Sequence, residues 1–289
     1  MGNTAKFIFW DVQHGHATYI NTPNDRHIVV DLGTGSYQHF RDSFSPLKHL
    51  KEKYGVRKID YLVITHPHKD HIDDILNVQT MRPKILARPK HLNKDEVMKD
   101  AREKDKPIYE EYFRLSESYS GGIEDNNPND PYTPSNWGGM IINSFRTTNC
   151  PNSNINNHSL IRVFEYADSK IIVPGDNEEC SLKKLMENKE FTETVKDSDV
   201  LLAPHHGRKA GFYNEFVKLV NPRLTVVSDG RFGDTSYTSA YGTLSRGWKV
   251  HKRSGGSEER KVITTRRDGL ISIKFGHGNE KPFIAVKID

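Results

Sequence analysis

Three histidines and an aspartate fall within six residues of this chain, in Thr65-His66-Pro67-His68-Lys69-Asp70-His71. Imidazoles and carboxylates crowded so tightly repel or desolvate one another unless a cation lies between them, so the spacing points to a metal site. Ile59 and the run Tyr61 to Ile64 just before the cluster read as a short buried strand, and Pro67 excludes helix there. The four potential ligands therefore crowd the turn at the carboxyl end of a strand. Three more segments place potential ligands at strand ends. His158 opens an apolar strand after Asn156-Asn157, Asp176 ends Val173-Pro174-Gly175-Asp176, and His205-His206 stand between Pro204 and Gly207. Each alone is weak, since an aspartate after glycine is more often a turn residue. Their repeated placement where α/β sheets put ligands carries more weight.

The elements that must hold these residues follow from apolar periodicity. Strands are predicted at Lys6–Asp11, Ala17–Asn21, His27–Leu32, Ile85–Ala87, Met140–Thr147, Ser159–Tyr166, Lys170–Val173, Val200–Ala203, Leu224–Val227, Val262–Thr265, Leu270–Phe275 and Phe283–Val286. Helices are predicted from Ser45 as cap and Pro46 as first residue to near Gly55, then at Ile72–Val78, Glu178–Asn188 and Phe212–Val220. Alternating strands and helices argue for a layered α/β fold, and the two successive halves suggest two packed sheets. One domain is expected over residues 1–289, with an insert at 90–137. Within it Asn93–Ser118 has helical composition broken at Pro107, and Gly121–Asn136 has the composition of a loop, either a lid or a bystander.

The two cysteines, Cys150 and Cys180, make a disulfide framework unexpected and fit a reducing compartment. No apolar run nears the roughly 20 residues of a membrane span, and the start lacks a signal-peptide pattern, so a cytoplasmic protein without a membrane partner is expected. A net charge of +4 attracts nothing specific, but 246–267 is rich in Lys and Arg and could meet a polyanion, with Tyr237, Tyr241 and Trp248 to stack on bases. Protein partners cannot be read from these residues.

Taken in order, the His66–His71 motif, His158, Pro174-Gly175-Asp176 and Pro204-His205-His206-Gly207 resemble the metallo-β-lactamase superfamily over nearly the whole chain apart from the insert. Within it, the chain is most similar to the β-lactamase-like domain of competence DNA-uptake proteins. Asp11-Val12-Gln13-His14-Gly15-His16-Ala17 resembles the opening D-V-G-Q-G-D-A of that branch. Asn157-His158-Ser159-Leu160 through Asp176, Leu202 to Gly207, and Arg267-Asp268-Gly269-Leu270-Ile271 resemble three later blocks.

The resemblance implies a four-layer αββα sandwich with two divalent ions, usually Zn²⁺, with Mn²⁺ as the alternative. It implies that His66, His68 and His158 hold one ion and Asp70, His71 and His206 the other, with Asp176 bridging. His206 is preferred to His205 as ligand because it directly precedes glycine. His205 is then left to orient substrate or move a proton. Departures from the family pattern are His14 and His16 for the expected glutamine and acid, Asp73-Asp74 where two glycines are usual, and Asp229 to Gly233 in place of a G-H-P turn.

A metal-dependent hydrolase of phosphodiesters is the function expected, with nucleic acid as first choice of substrate. Asp70 or Asp176 would orient the attacking water and His205 or His16 would protonate the leaving oxygen, while His14, His16, Arg208 and Lys209 are candidates for substrate contact. A small phosphodiester (a cyclic nucleotide or phosphocholine-type ester), a carboxylic ester or lactone, and a metal-bound regulatory protein without turnover are the competing readings.

Overall fold

Side chains alternate between two faces along each strand, and in this chain both faces are apolar, so every central strand must be covered on both sides. The computed structural model describes residues 4–35, 44–99, 101–124, 127–230, 236–279 and 281–289. Their strands are, in chain order, β1 (Thr4–Phe9), β2 (Thr18–Asn21), β3 (His27–Val30), β4 (Tyr61–Val63), β5 (Ile85–Ala87), β6 (Ile141–Phe145), β7 (Ile161–Tyr166), β8 (Ser169–Val173), β9 (Val200–Leu202), β10 (Leu224–Val227), β11 (Trp248–Lys252), β12 (Ser257–Arg260), β13 (Val262–Thr264), β14 (Ile271–Gly278) and β15 (Lys281–Ile288). One sheet runs β12-β11-β15-β14-β1-β2-β3-β4-β5 and the other β13-β10-β9-β8-β7-β6.

Phe7 and Phe9 of β1 meet Phe164 of β7, Val173 of β8 and Val226 of β10 between the sheets. The intervening Ile8 packs outward under α1 (Pro46–Lys53) and, beyond α2 (Lys69–Ile72) and α3 (Lys94–Met98), under Tyr112 of α4 (Lys106–Glu117). On the far side Ile161 and Val163 face Leu182 of α5 (Glu179–Met186), Phe191 of α6 (Lys189–Val195), Phe216 of α7 (Asn214–Val220) and Tyr241 of α8 (Thr238–Leu244). Helices, sheet, sheet, helices make the αββα sandwich. Burying one such phenylalanine stabilises by about 1.5–3 kcal/mol, against ~0–1 kcal/mol for a surface ion pair. The facing aromatics, not the many charged pairs, therefore hold the layers together.

Several elements differ from the sequence expectation. The helix expected over Ile72–Val78 is α2 followed by a 3-10 turn at Ile75–Met81, and Pro107 begins α4 rather than breaking it. Residues 246–267 hold the β11–β12 hairpin and most of α9 (Thr265–Asp268), and half of their cations are ion-paired. Lys252 meets Glu258 at 3.1 Å, Arg260 meets Glu258 at 2.9 Å and Asp268 at 3.3 Å, and Arg253 meets Asp289. Tyr241 is fully buried in α8, and Trp248 lies under Arg223, 4.5 Å from its ring centre. Cys150 and Cys180 are joined as a disulfide. The loop before His158 is thereby tied to the first turn of α5, which two cysteines thirty residues apart did not betray. Of Asp229 to Gly233, residues 231–233 lie outside the described residues.

β3, β4 and β5 are parallel, as are β8, β9, β10 and β13. Their carboxyl ends share one margin of the sandwich, and the functional loops leave from it.

Candidate metal centre

The loop after β4 carries His66 to His71, with α2 starting at Lys69 so that Asp70 and His71 turn back toward the strands. Two close backbone approaches hold this loop against its neighbours. A Cβ on Gly15, whose φ is +129°, or on Gly33 would stand 2.5 Å from the Asp70 carbonyl oxygen. Only glycine lets those segments close over the ligand loop. Asp73 and Asp74 do not disturb the backbone here. Asp74 accepts from Ser45 Oγ at 2.8 Å and Leu47 N at 2.9 Å, capping α1, and Asp73 meets Lys69 at 2.9 Å.

Asp70, His71, Asp176 and His206 converge. The His206 Nε2 atom is 3.2 Å from Asp70 Oδ2, 3.3 Å from Asp176 Oδ2 and 3.3 Å from His71 Nε2, which is itself 3.2 Å from Asp176 Oδ1. His14 adds its Nε2 at 3.2 Å from Asp70 Oδ2. The His66 Nε2 atom reaches 3.9 Å from Asp176 Oδ2 and is buried without a hydrogen-bond partner. The His68 ring centre is 4.6 Å from that of His66. His205 and His206 both have positive φ, 50° and 54°, a strained pair of conformations that splays the two rings from one turn.

Around them stand residues that the sequence reading missed. Asp31, at the end of β3, accepts from Thr65 N at 2.7 Å and lies 2.8 Å from His71 Nδ1 and 3.0 Å from His16 Nδ1. His71 is thus fixed with Nε2 facing the cluster. The Ser228 carbonyl does the same for His206, 3.0 Å from Nδ1. Glu178 lies 2.9 Å from His205 Nδ1, leaving Nε2 aimed toward Asp176 at 3.9 Å. Asp31 ends an apolar run just as Asp176 does, so the strand-end rule applied there too would have found it.

Electrostatics follow from burial and pairing. Burial lowers His66 and His68, His66 well below the usual imidazole range. Burial would lower His71 and His206 as well, but Asp176 and the other facing carboxylates outweigh it, raising His71 strongly and His206 to about 9. Burial would raise Asp70 and Asp176, and the imidazoles around them hold both well below the carboxylate range instead. The His205 hydrogen bond, against burial, holds Glu178 at about 2.

His158 stands apart from the cluster. Its Nδ1 is 3.0 Å from His91 Nε2 and its Nε2 is 3.4 Å from the Pro151 carbonyl, while Arg146 donates to His91 Nδ1 at 3.2 Å. Close groupings of ligand atoms among the described residues join His14, Asp70 and His206, then His66, His71 and Asp176, then His16, Asp31 and His71. His16 is buried and its Nε2 meets Thr18 Oγ1 at 2.7 Å, so it props Asp31 rather than facing the opening. Arg208 reaches His205 Nε2 and His14 Nδ1, each at 3.5 Å, whereas Lys209 is exposed beside them.

Residues 10–103, which include the opening motif and the ligand loop, match the family model of the metallo-beta-lactamase superfamily. The fold is the metallo-β-lactamase fold. Over 242 residues the chain is 25% identical to ComE operon protein 3 of Bacillus subtilis (strain 168), covering 76% of this chain and 28% of that protein. The chain thus spans little more than a quarter of the length of the curated relative it matches. Among solved structures it is similar to a diphosphatase of the PhnP family (10% identity, 95% of this chain, 98% of that one, TM-score 0.44). CmlA, a diiron β-hydroxylase from Streptomyces venezuelae, is also similar (12%, 77% and 44%, TM-score 0.44). So is a long-form RNase Z from yeast (9%, 98% and 49%, TM-score 0.40). No described helix is long and apolar enough to cross a membrane.

Proposed function

We propose that this chain is a metal-dependent phosphodiesterase acting on nucleic acid. One observation carries the proposal: the imidazole nitrogens of His71 and His206 face each other at 3.3 Å between Asp70 and Asp176, with the buried Nε2 of His66 unpartnered beside them. Such a set of donors suits divalent ions. Asp70, His71, His206 and Asp176 would hold one ion, and His66, His68 and Asp176 the other. His158 would complete the second set only on leaving His91. Zn²⁺ is the ion we favour. When bound, divalent ions there supply an acidified water and positive charge for the oxygens of a diester.

The chain's own groups do the rest. Asp31 and the Ser228 carbonyl keep His71 and His206 in one orientation each, so the facing nitrogens are set before substrate arrives. Asp70 or Asp176 accepts a hydrogen bond from the attacking water and orients it. His205, braced by Glu178, takes up a proton at Nε2 and gives it to the leaving oxygen. Arg208, between His205 and His14, donates to a non-bridging phosphate oxygen. Nucleic acid is favoured over smaller diesters by the similarity to the competence DNA-uptake branch.

The test combines metal analysis of the purified full chain with cleavage assays on single-stranded DNA, RNA, a cyclic nucleotide and bis(p-nitrophenyl) phosphate in Zn²⁺ or Mn²⁺. Bound transition metal and cleavage of both the model diester and a nucleic acid are expected. Asp70→Ala and His206→Ala should each lower turnover by ~10²–10³-fold, the range seen on losing a principal transition-state contact. A chain that neither holds nor takes up metal sinks the proposal. Cleavage of small diesters alone would move the substrate to that class.

A further inference from the structure

Arg162 is a buried cation without an anion. It lies in β7 between Leu160 and Phe164 on the face turned to the other sheet, with 2% of its surface exposed. Its Nε and Nη1 have no hydrogen-bond partner, and its guanidinium lies 5.8 Å from the ring centre of Tyr61 in a cation–π contact. No described carboxylate pairs with it. Keeping a guanidinium out of water without a counter-charge is costly, and a bound anion is one way to offset that cost.

The side chain opens on a groove at the margin where β5 of one sheet comes beside β6 and β7 of the other. Arg88, Lys90, Arg146 and Tyr132 line it with Arg162. A second groove shares Arg88, Lys90 and Tyr132 and continues past Lys84, whose Nζ is already paired with Asp60 at 2.5 Å, and the Gly121-Gly122 turn of the insert. No acidic residue among the described ones lines either groove. Arg88 is itself buried and donates only to uncharged groups, Ser116 Oγ at 2.7 Å and the Tyr119 carbonyl at 3.0 Å among them. Tyr132 is 58% exposed, a free aromatic face beside the cations. Cations in a row, an unpaired arginine at the floor and one open ring match how single strands are held, by phosphate contact and base stacking.

We infer that this groove is a track for the phosphate backbone of a single nucleic-acid strand, running from the flank of the candidate metal centre along the insert. Arg88 and Lys90 follow the carboxyl end of β5, the neighbour of the strand that carries His66 to His71. Arg146 touches His91, which touches His158. The track rests on the proposed function for its choice of a nucleic-acid strand, and the insert becomes one of its walls.

The test is fluorescence anisotropy of a labelled, phosphorothioate-linked single strand of about 20 nucleotides with the metal-loaded full chain, at several salt concentrations. Lys90→Ala with Arg146→Ala should weaken binding at least tenfold and flatten the slope of log K against log salt by about 1.4, at about 0.7 per phosphate contact on single strands. Arg162→Gln should also weaken binding; should that variant not fold, the surface pair decides. Unchanged affinity and slope in the Lys90/Arg146 variant overturn the track. Competition by inorganic phosphate with no strand binding would mean a small-anion site and overturn it equally. Turnover of bis(p-nitrophenyl) phosphate, followed in parallel, reports the centre alone. Strand binding without diester turnover fails the proposed function, and turnover without strand binding fails the track.

Discussion

At the scale of single residues, His71 and His206 couple the centre to pH. Facing carboxylates raise both, His206 to about 9, whereas an unfolded imidazole titrates near 6.5. A group raised on folding stabilises fully below its unfolded pKa and loses that contribution as pH climbs through the folded value. Chelator-treated protein should therefore lose thermal stability from about pH 6.5 to 9. Metal must displace the same protons, so the loaded protein should show a much flatter profile, and metal affinity should rise with pH over that window. Differential scanning calorimetry with and without chelator, and titration calorimetry in buffers of different ionisation enthalpy, check both. A chelated protein equally stable at pH 6.5 and 9 would contradict the pairing of His71 and His206 with Asp31, Asp70 and Asp176.

At the scale of elements, the loop that delivers His158 is the one tied by Cys150–Cys180. Closing a loop of thirty residues removes unfolded-state entropy worth about 3–4 kcal/mol in the chain-entropy account. Cys150→Ser with Cys180→Ser should lower stability by about that much in urea unfolding, and reductant should do the same to the parent chain but not to the variant. The elements also show what could be read in advance. Leu224–Val227 has the bounds that periodicity predicts, because a run buried on both faces leaves no alternative, and the edge strand Ile85–Ala87 matches its predicted bounds as well. The β11–β12 hairpin escaped because it is an edge made of Lys, Arg, His and Glu, with Val250 its one fully buried side chain. The α8 helix escaped because Ser, Thr and Gly supply most of it and buried Tyr241 holds it in place. In the centre, His66, His68, Asp70 and His71 were legible because their spacing is itself a chemical statement. Asp31 was legible by the same strand-end rule as Asp176, though not used, whereas Glu178 and His91 were not, since each is a single residue whose meaning arises from a partner 27 or 67 positions away.

At the scale of the whole molecule, the nine-stranded sheet interleaves the two ends of the chain. β15 sits between β11 and β14, and β14 pairs with β1. Removing residues 281–289 leaves β11–β12 without its link to the sheet. Far-UV circular dichroism of that truncation should show no cooperative melt, whereas a sharp transition near that of the parent chain would mean the edge hairpin is dispensable.

The pairing of β1 with β14 also sets a clock on synthesis. Roughly 260 residues separate the end of the one from the start of the other. At about 5–20 residues per second the first strand waits on the order of 10–50 s for its neighbour, with a bare apolar edge exposed at the ribosome. The loop bearing His16, which meets Asp31 behind His71, hangs from that waiting strand, so the centre is assembled only after β14 has joined β1, and holdase chaperones have their longest opportunity before it.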